Sequence, residues 1–131
     1  MIKVVLVDDE PRLRRAWETL FASQADMTLL AALPQADTLQ HVIVENSPDV
    51  IVVDLTMPGM DPLDAIRAIA ASHPNVRSVV YSAHSDMASL RSAYDAGAWG
   101  YLDKLSAPSE MFSVIRRVAA GEAVFPADFA S

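Results

Sequence analysis

Five short β-branched apolar runs, separated by longer stretches with helical spacing, constrain this chain more than any other feature. The runs are Ile2 to Val7, Met27 to Leu33, Val50 to Val53, Ser78 to Tyr81 and Trp99 to Leu102, and each ends at polar or turn residues. Continuous apolar runs of this length suit strands covered on both faces. After the first, Pro11 is well placed for a first helical turn, and Leu13, Ala16, Trp17, Leu20 and Phe21 follow the stripe of a core-facing helix. Leu39, Val42 and Ile43 mark a second helix, and Leu63, Ile66 and Ala70 a third. Met87, Leu90 and Tyr94 mark the fourth, stopped by Gly97, and Val114, Ile115, Val118 and Ala119 the fifth. Strand followed by helix, five times over, predicts an α/β fold: a three-layer, doubly wound, five-stranded parallel sheet with right-handed crossovers.

Size and charge narrow the function. At 131 residues the chain is one soluble globular domain able to bury a core without metal or disulfide staples. It has no cysteine, which excludes a disulfide framework, a thiolate metal site and a cysteine nucleophile. A net charge of -7 lacks the basic footprint of a surface that grips nucleic-acid phosphates or anionic lipid. The N-terminal apolar run is too short for a signal-peptide core, and no later run reaches the length of a membrane span, so an intracellular protein is expected.

In doubly wound sheets ligands bind beyond the carboxyl ends of the strands, where the winding direction switches. The first run leads into Asp8-Asp9-Glu10, the third into Asp54, the fourth into Ser82 and the fifth into Asp103-Lys104. A lone aspartate after a strand is ordinarily a turn former or helix cap, and for Asp54 by itself that reading weighs as much as a functional one. The set is different. Two carboxylates ~4 Å apart repel by roughly 4 kcal/mol at an intermediate effective dielectric, a strain that a cation relieves. Oxygen ligands without His or Cys point to Mg²⁺, a hard ion that pairs well with phosphate.

These segments resemble the receiver (CheY-like) domain of two-component response regulators. The resemblance covers nearly the whole chain through Asp8-Asp9, the stretch Asp54-Leu55-Thr56-Met57-Pro58-Gly59-Met60-Asp61, Ser82-Ala83, and Gly100-Tyr101-Leu102-Asp103-Lys104. Each is weak alone; all four in order at strand ends are specific. The resemblance implies strand order 2-1-3-4-5, a flavodoxin-like sheet whose switch point falls between Asp9 and Asp54. It implies that Asp54 attacks the phosphoryl group of a phosphohistidine on a sensor histidine kinase. Mg²⁺ is then held by Asp9, Asp54 and the carbonyl of Thr56, with Asp8 helping through water. Lys104 and Ser82 contact phosphoryl oxygens, and Ala83 leaves room for the group. Tyr101 rotates as Ser82 moves, although an aromatic at a strand end is commonly only packed. The domain is then a phosphoacceptor that assists its own phosphorylation and dephosphorylation, works in the cytoplasm and forms a homodimer when phosphorylated.

Two departures stand out. Pro62 replaces the usual glycine after Met-Pro-Gly-Met-Asp and fits the first turn of the third helix. Leu105 follows Lys104 where many receivers carry a cis proline, so another loop path is expected. With the tail Gly121-Glu122 through Pro126, this resembles the NarL/FixJ subgroup, whose receivers precede a LuxR-type helix-turn-helix. Residues 1–120 are thus read as the receiver domain and 121–131 as the start of a linker to a DNA-binding domain absent here, in a truncated or stand-alone chain. His84 is a candidate to border the site and tune hydrolysis of the acyl phosphate, whereas His41 and His73 are expected on exposed helix faces or ends and the methionines in core and turns. A haloacid-dehalogenase-like phosphatase needs a second Asp where Thr56 stands, and a nucleotide-binding enzyme a glycine-rich loop where four glycines are scattered. The remaining competitor is a phosphorylation-independent interaction module of the same fold.

Overall fold

The computed structural model describes residues 1–126 and 129. Five strands, β1 (Ile2–Val7), β2 (Met27–Leu33), β3 (Val50–Asp54), β4 (Arg77–Ser82) and β5 (Gly100–Asp103), form one parallel sheet in the order β2-β1-β3-β4-β5. Five helices alternate with them: α1 (Pro11–Ala22), α2 (Leu39–Asn46), α3 (Pro62–Ser72), α4 (Met87–Ala96) and α5 (Pro108–Ala119). This is the expected doubly wound fold in the expected strand order.

Local chemistry sets the helix starts. Proline opens α1, α3 and α5, where its missing N–H removes nothing from the ladder. Asp61 caps α3 by accepting from the Leu63 N–H at 2.9 Å, so Pro62 occupies the first turn as its position predicts. Asp86 caps α4 through the Ser89 N–H at 3.1 Å, and Gly97 ends that helix with φ of 104°, a conformation that disfavours a side chain.

Alternate strand residues feed two cores. Val4, Leu6, Val52, Val79, Tyr81 and Leu102 face α1 and α5, where Trp17 packs edge-on against Tyr81 and Phe112 with ring centroids 6.0 Å apart. Val5, Val7, Ile51, Val53, Val80 and Tyr101 face α2, α3 and α4. Each large apolar side chain sealed in these layers contributes about 1.5–3 kcal/mol relative to exposure. Between Val4 and Val5 the β1–β2 register shifts, because β2 carries Leu30 as an extra residue, and Leu29 and Ala31 on either side of it face opposite layers.

Four of the apolar helix positions marked by the sequence pattern fall outside the core. Ala16 on α1 and Ala70 on α3 are exposed, and Met87 and Tyr94 on α4 are each 52 % exposed. In α4 the buried seam is Leu90, Ala93 and Ala96, on the other flank of Leu90 from Met87 and Tyr94. The small alanines let the helix turn that flank toward the sheet, which leaves the two large side chains outside. The same rotation buries Ala65 and Ile69 in α3 instead of Ala70.

Candidate functional site

All five strands run the same way, so their carboxyl ends share one edge of the sheet. Val7 pairs with Val53, Asp54 with Tyr81, and Ser82 with Asp103. The residues next along the chain therefore converge at the switch point, where β1 has β2 on one side and β3 on the other. Asp8 is 0 % and Asp54 2 % exposed, whereas Asp9 is exposed. The three offer carboxylate oxygens within 4.8 Å of one another.

Each buried acid has one oxygen occupied locally. Asp8 Oδ1 accepts from the Glu10 N–H at 2.9 Å, and Asp54 Oδ1 from the Thr56 N–H at 3.0 Å. The second oxygens face Lys104, whose Nζ donates to Asp54 Oδ2 at 2.7 Å and lies 3.5 Å from Asp8 Oδ2. Asp8 Oδ2 is buried without a hydrogen bond. Burial pushes the Asp8 carboxyl above the usual range, opposed by the Glu10 N–H and by Lys104 and reinforced by Asp54. For Lys104, burial pulls the ammonium down, but the hydrogen bond to Asp54 and the charges of Asp8 and Asp54 outweigh it and leave the net shift upward. A buried carboxylate oxygen that makes no hydrogen bond, beside two further carboxylates, fits a hard divalent cation.

On the other side of the edge stand a hydroxyl and a phenol. Ser82 Oγ, fully buried, accepts from the His84 N–H at 3.0 Å, and the Tyr101 hydroxyl donates to the His84 carbonyl. The His84 backbone thus bridges Ser82 and Tyr101 through the peptide groups on its two sides. A cavity of about 320 Å³ opens beside Ser82, lined by Leu55, Thr56, Asp61, His84 and Ser89 among others. The Tyr101 ring is buried among the α4-side core residues, and burial raises its phenol above the ordinary value. Ala83 is exposed next to Ser82.

The residue-by-residue expectations can now be placed. Asp8, Asp9, Asp54, Ser82 and Lys104 share one edge, Thr56 is the exposed residue whose N–H holds Asp54, and Tyr101 stands behind Ser82. His41 is exposed on α2 and His73 caps the end of α3. Among the described residues every peptide is trans; after Lys104 the chain turns by the Leu105 N–H donating to Asp103 Oδ1 at 2.7 Å, leaving Leu105 93 % exposed. Sequence reasoning missed the His84 backbone, which no side-chain pattern encodes. It also missed Ser85, whose hydroxyl donates to Asp103 Oδ2 at 3.2 Å, and Asp37, which holds the Met60 N–H at 3.0 Å beside Gly59.

Residues 4–116 match the response regulator receiver domain. The chain belongs to that family. The receiver is 32 % identical over 95 % of its length to the uncharacterized transcriptional regulatory protein YxjL of Bacillus subtilis, and 31 % identical over 99 % to the response regulator UvrY of Escherichia coli. It spans 57 % and 60 % of those two proteins. Among solved structures it resembles a LuxR-family response regulator from Aurantimonas, at 30 % identity and a TM-score of 0.89, covering 98 % of this chain and 91 % of that one. It also resembles the receiver domain of the putative regulator NarL from Mycobacterium tuberculosis, at 26 % and 0.87, covering 92 % and 98 %. The receiver is thus similar to those of NarL/LuxR-family two-component response regulators. Among the described residues no helix is long and apolar enough to cross a membrane.

Proposed function

We propose that this receiver takes a phosphoryl group from the phosphohistidine of a sensor kinase onto Asp54 and passes the resulting change to a transcriptional output. The observation that best supports this reading is Asp54 itself, a buried carboxylate clamped by the Thr56 N–H and Lys104 at a strand end it shares with Asp8 and Asp9. An Asp54 oxygen attacks phosphorus, the P–N bond breaks and the imidazole leaves with the electron pair; carboxylates are competent nucleophiles of this kind. Asp8, Asp9, Asp54 and the Thr56 carbonyl would hold Mg²⁺, which neutralises charge on the transferring group. Lys104 exchanges its contact with Asp54 for one to a phosphoryl oxygen, and the Ser82 hydroxyl donates to another. Ala83 leaves that side open. Hydrolysis at the same site resets the receiver, with His84 at its rim.

Residues 1–120 carry this chemistry and 121–131 lead toward a DNA-binding domain, the receiver itself making no nucleic-acid contact. It works in the cytoplasm and pairs with a second copy when phosphorylated. Incubation with acetyl phosphate and Mg²⁺ followed by intact mass measurement tests the central step. One added phosphoryl mass is expected, and none on Asp54→Asn; absence of the adduct, or equal labelling of the variant, overturns the reading and favours a phosphorylation-independent module.

A further inference from the structure

After α5 the chain does not leave the domain. Gly121, at φ of 96°, reverses it, and Val124 then lies parallel against the outer edge of β5. The Val124 N–H donates to the Trp99 carbonyl at 2.8 Å, and the Tyr101 N–H donates to the Val124 carbonyl at 2.9 Å. The Val124 side chain is buried in the α5-side core, while Phe125 and Phe129 pack on the opposite layer. There they stack on each other at 5.1 Å and meet Tyr94 of α4 at 5.7 Å edge-on and 5.6 Å tilted, with the Arg91 guanidinium 5.4 Å from the Phe129 ring. The exposed aromatic of α4 thus has an occupant within this chain.

We infer that Val124, Phe125 and Phe129 form a strap across β5 and α4 that holds the unphosphorylated state and is released when Asp54 is phosphorylated. This rests on the proposed function of Asp54. The contacts are continuous from the site to the strap: Ser82 Oγ to the His84 N–H, the His84 carbonyl to the Tyr101 hydroxyl, and the Tyr101 N–H to Val124. Turning the Ser82 side chain toward a phosphoryl group moves the oxygen that accepts from the His84 N–H. A shift of the His84 backbone displaces the carbonyl that fixes the Tyr101 ring, and the strand carrying Tyr101 is also the strand on which the strap is seated. Linkage makes the effect reciprocal: if the phosphorylated state weakens the strap, weakening the strap favours the phosphorylated state.

Hydrogen exchange of the whole chain, with and without Mg²⁺ and the phosphoryl mimic beryllofluoride, tests this. The amides of Tyr101 and Val124 should exchange about five-fold faster or more with the mimic bound, a coupling at the lower end of the usual range. The double substitution Phe125→Ala with Phe129→Ala should bind beryllofluoride about five-fold more tightly by the same coupling. Exchange that is unchanged or slowed in a sample shown by acetyl phosphate and intact mass to label on Asp54 overturns the strap alone, as does an unchanged affinity of the double variant. A chain that labels nowhere overturns both the strap and the function it rests on.

Discussion

Asp8→Asn should stabilise the receiver in the absence of divalent cations, although it removes a fully buried charged group. The two Coulombic effects on Asp8 partly cancel. At an effective dielectric of 20, repulsion from Asp54 at the 4.8 Å limit is about 3.5 kcal/mol and attraction to Lys104 at 3.5 Å about 4.7 kcal/mol. The net attraction, at most about 1.2 kcal/mol, is opposed by desolvation of Asp8 Oδ2, buried without a hydrogen bond, which costs about 1–3 kcal/mol for a neutral polar group and more for a charged one. Asparagine retains the oxygen that accepts from Glu10 and removes the charge. The expected gain is about 1–2 kcal/mol, or a Tm rise of roughly 3–8 °C for a domain of this size. The pH dependence has a definite sign. Because the folded-state pKa of Asp8 is raised, protonation favours the fold: that contribution is present below the unfolded value of about 3.9 and lost as pH rises through the folded value. The gap between variant and wild type should therefore be full at pH 7 in EDTA and close as pH falls toward 4. Added Mg²⁺ should raise the wild-type Tm and narrow the gap, since a bound ion stabilises the state that holds it. Thermal melts by circular dichroism over this pH range give the answer. A variant equal to or less stable than wild type at pH 7 in EDTA refutes the reasoning.

Two more expectations follow from particular contacts. Gly97→Ala places a Cβ 2.9 Å from that of Ala70 at a φ of 104°, so a loss of about 1–2 kcal/mol or more is expected, and an unchanged melting temperature would refute it. Sedimentation velocity with Mg²⁺ and beryllofluoride should show a monomer converting to a dimer, and an unchanged coefficient at saturating mimic would count against the proposed pairing.

The sheet was legible because each strand is a continuous apolar run that two helical layers must cover, and the acids were legible because they follow those runs directly. The spacing of Met87, Leu90 and Tyr94 misled, since periodicity says which residues share a face but not how far the helix is turned, and in α4 the alanines decide that. The bulge at Leu30 had no signal of its own in an apolar run. Val124 and Phe125 escaped notice for a related reason: a single extended residue on a strand edge and two aromatics beyond it have no period to detect. His84 was singled out for its imidazole, yet its contribution to the wiring is an amide and a carbonyl that any non-proline residue supplies.

The strand ends also show how a turn former at Asp54 leaves an oxygen available for the chemistry proposed there. Four of them share one device, a side-chain oxygen accepting from the backbone N–H two residues on: Asp8 from Glu10, Asp54 from Thr56, Ser82 from His84 and Asp103 from Leu105. This local bond favours a turn. A carboxylate making it still has a second oxygen, which the turn points in a fixed direction. In Asp54 that oxygen meets Lys104, in Asp103 it meets Ser85, and in Asp8 it is left unpaired among the acids. A hydroxyl has one oxygen, so accepting from His84 leaves Ser82 only its proton to offer, and a proton is what a phosphoryl oxygen requires. The turn role and the proposed chemical role therefore fall to different atoms of the same side chains. Replacing Asp54 by serine would preserve the turn and remove the nucleophilic oxygen, whereas alanine would remove both, so the two substitutions separate fold from function at one position.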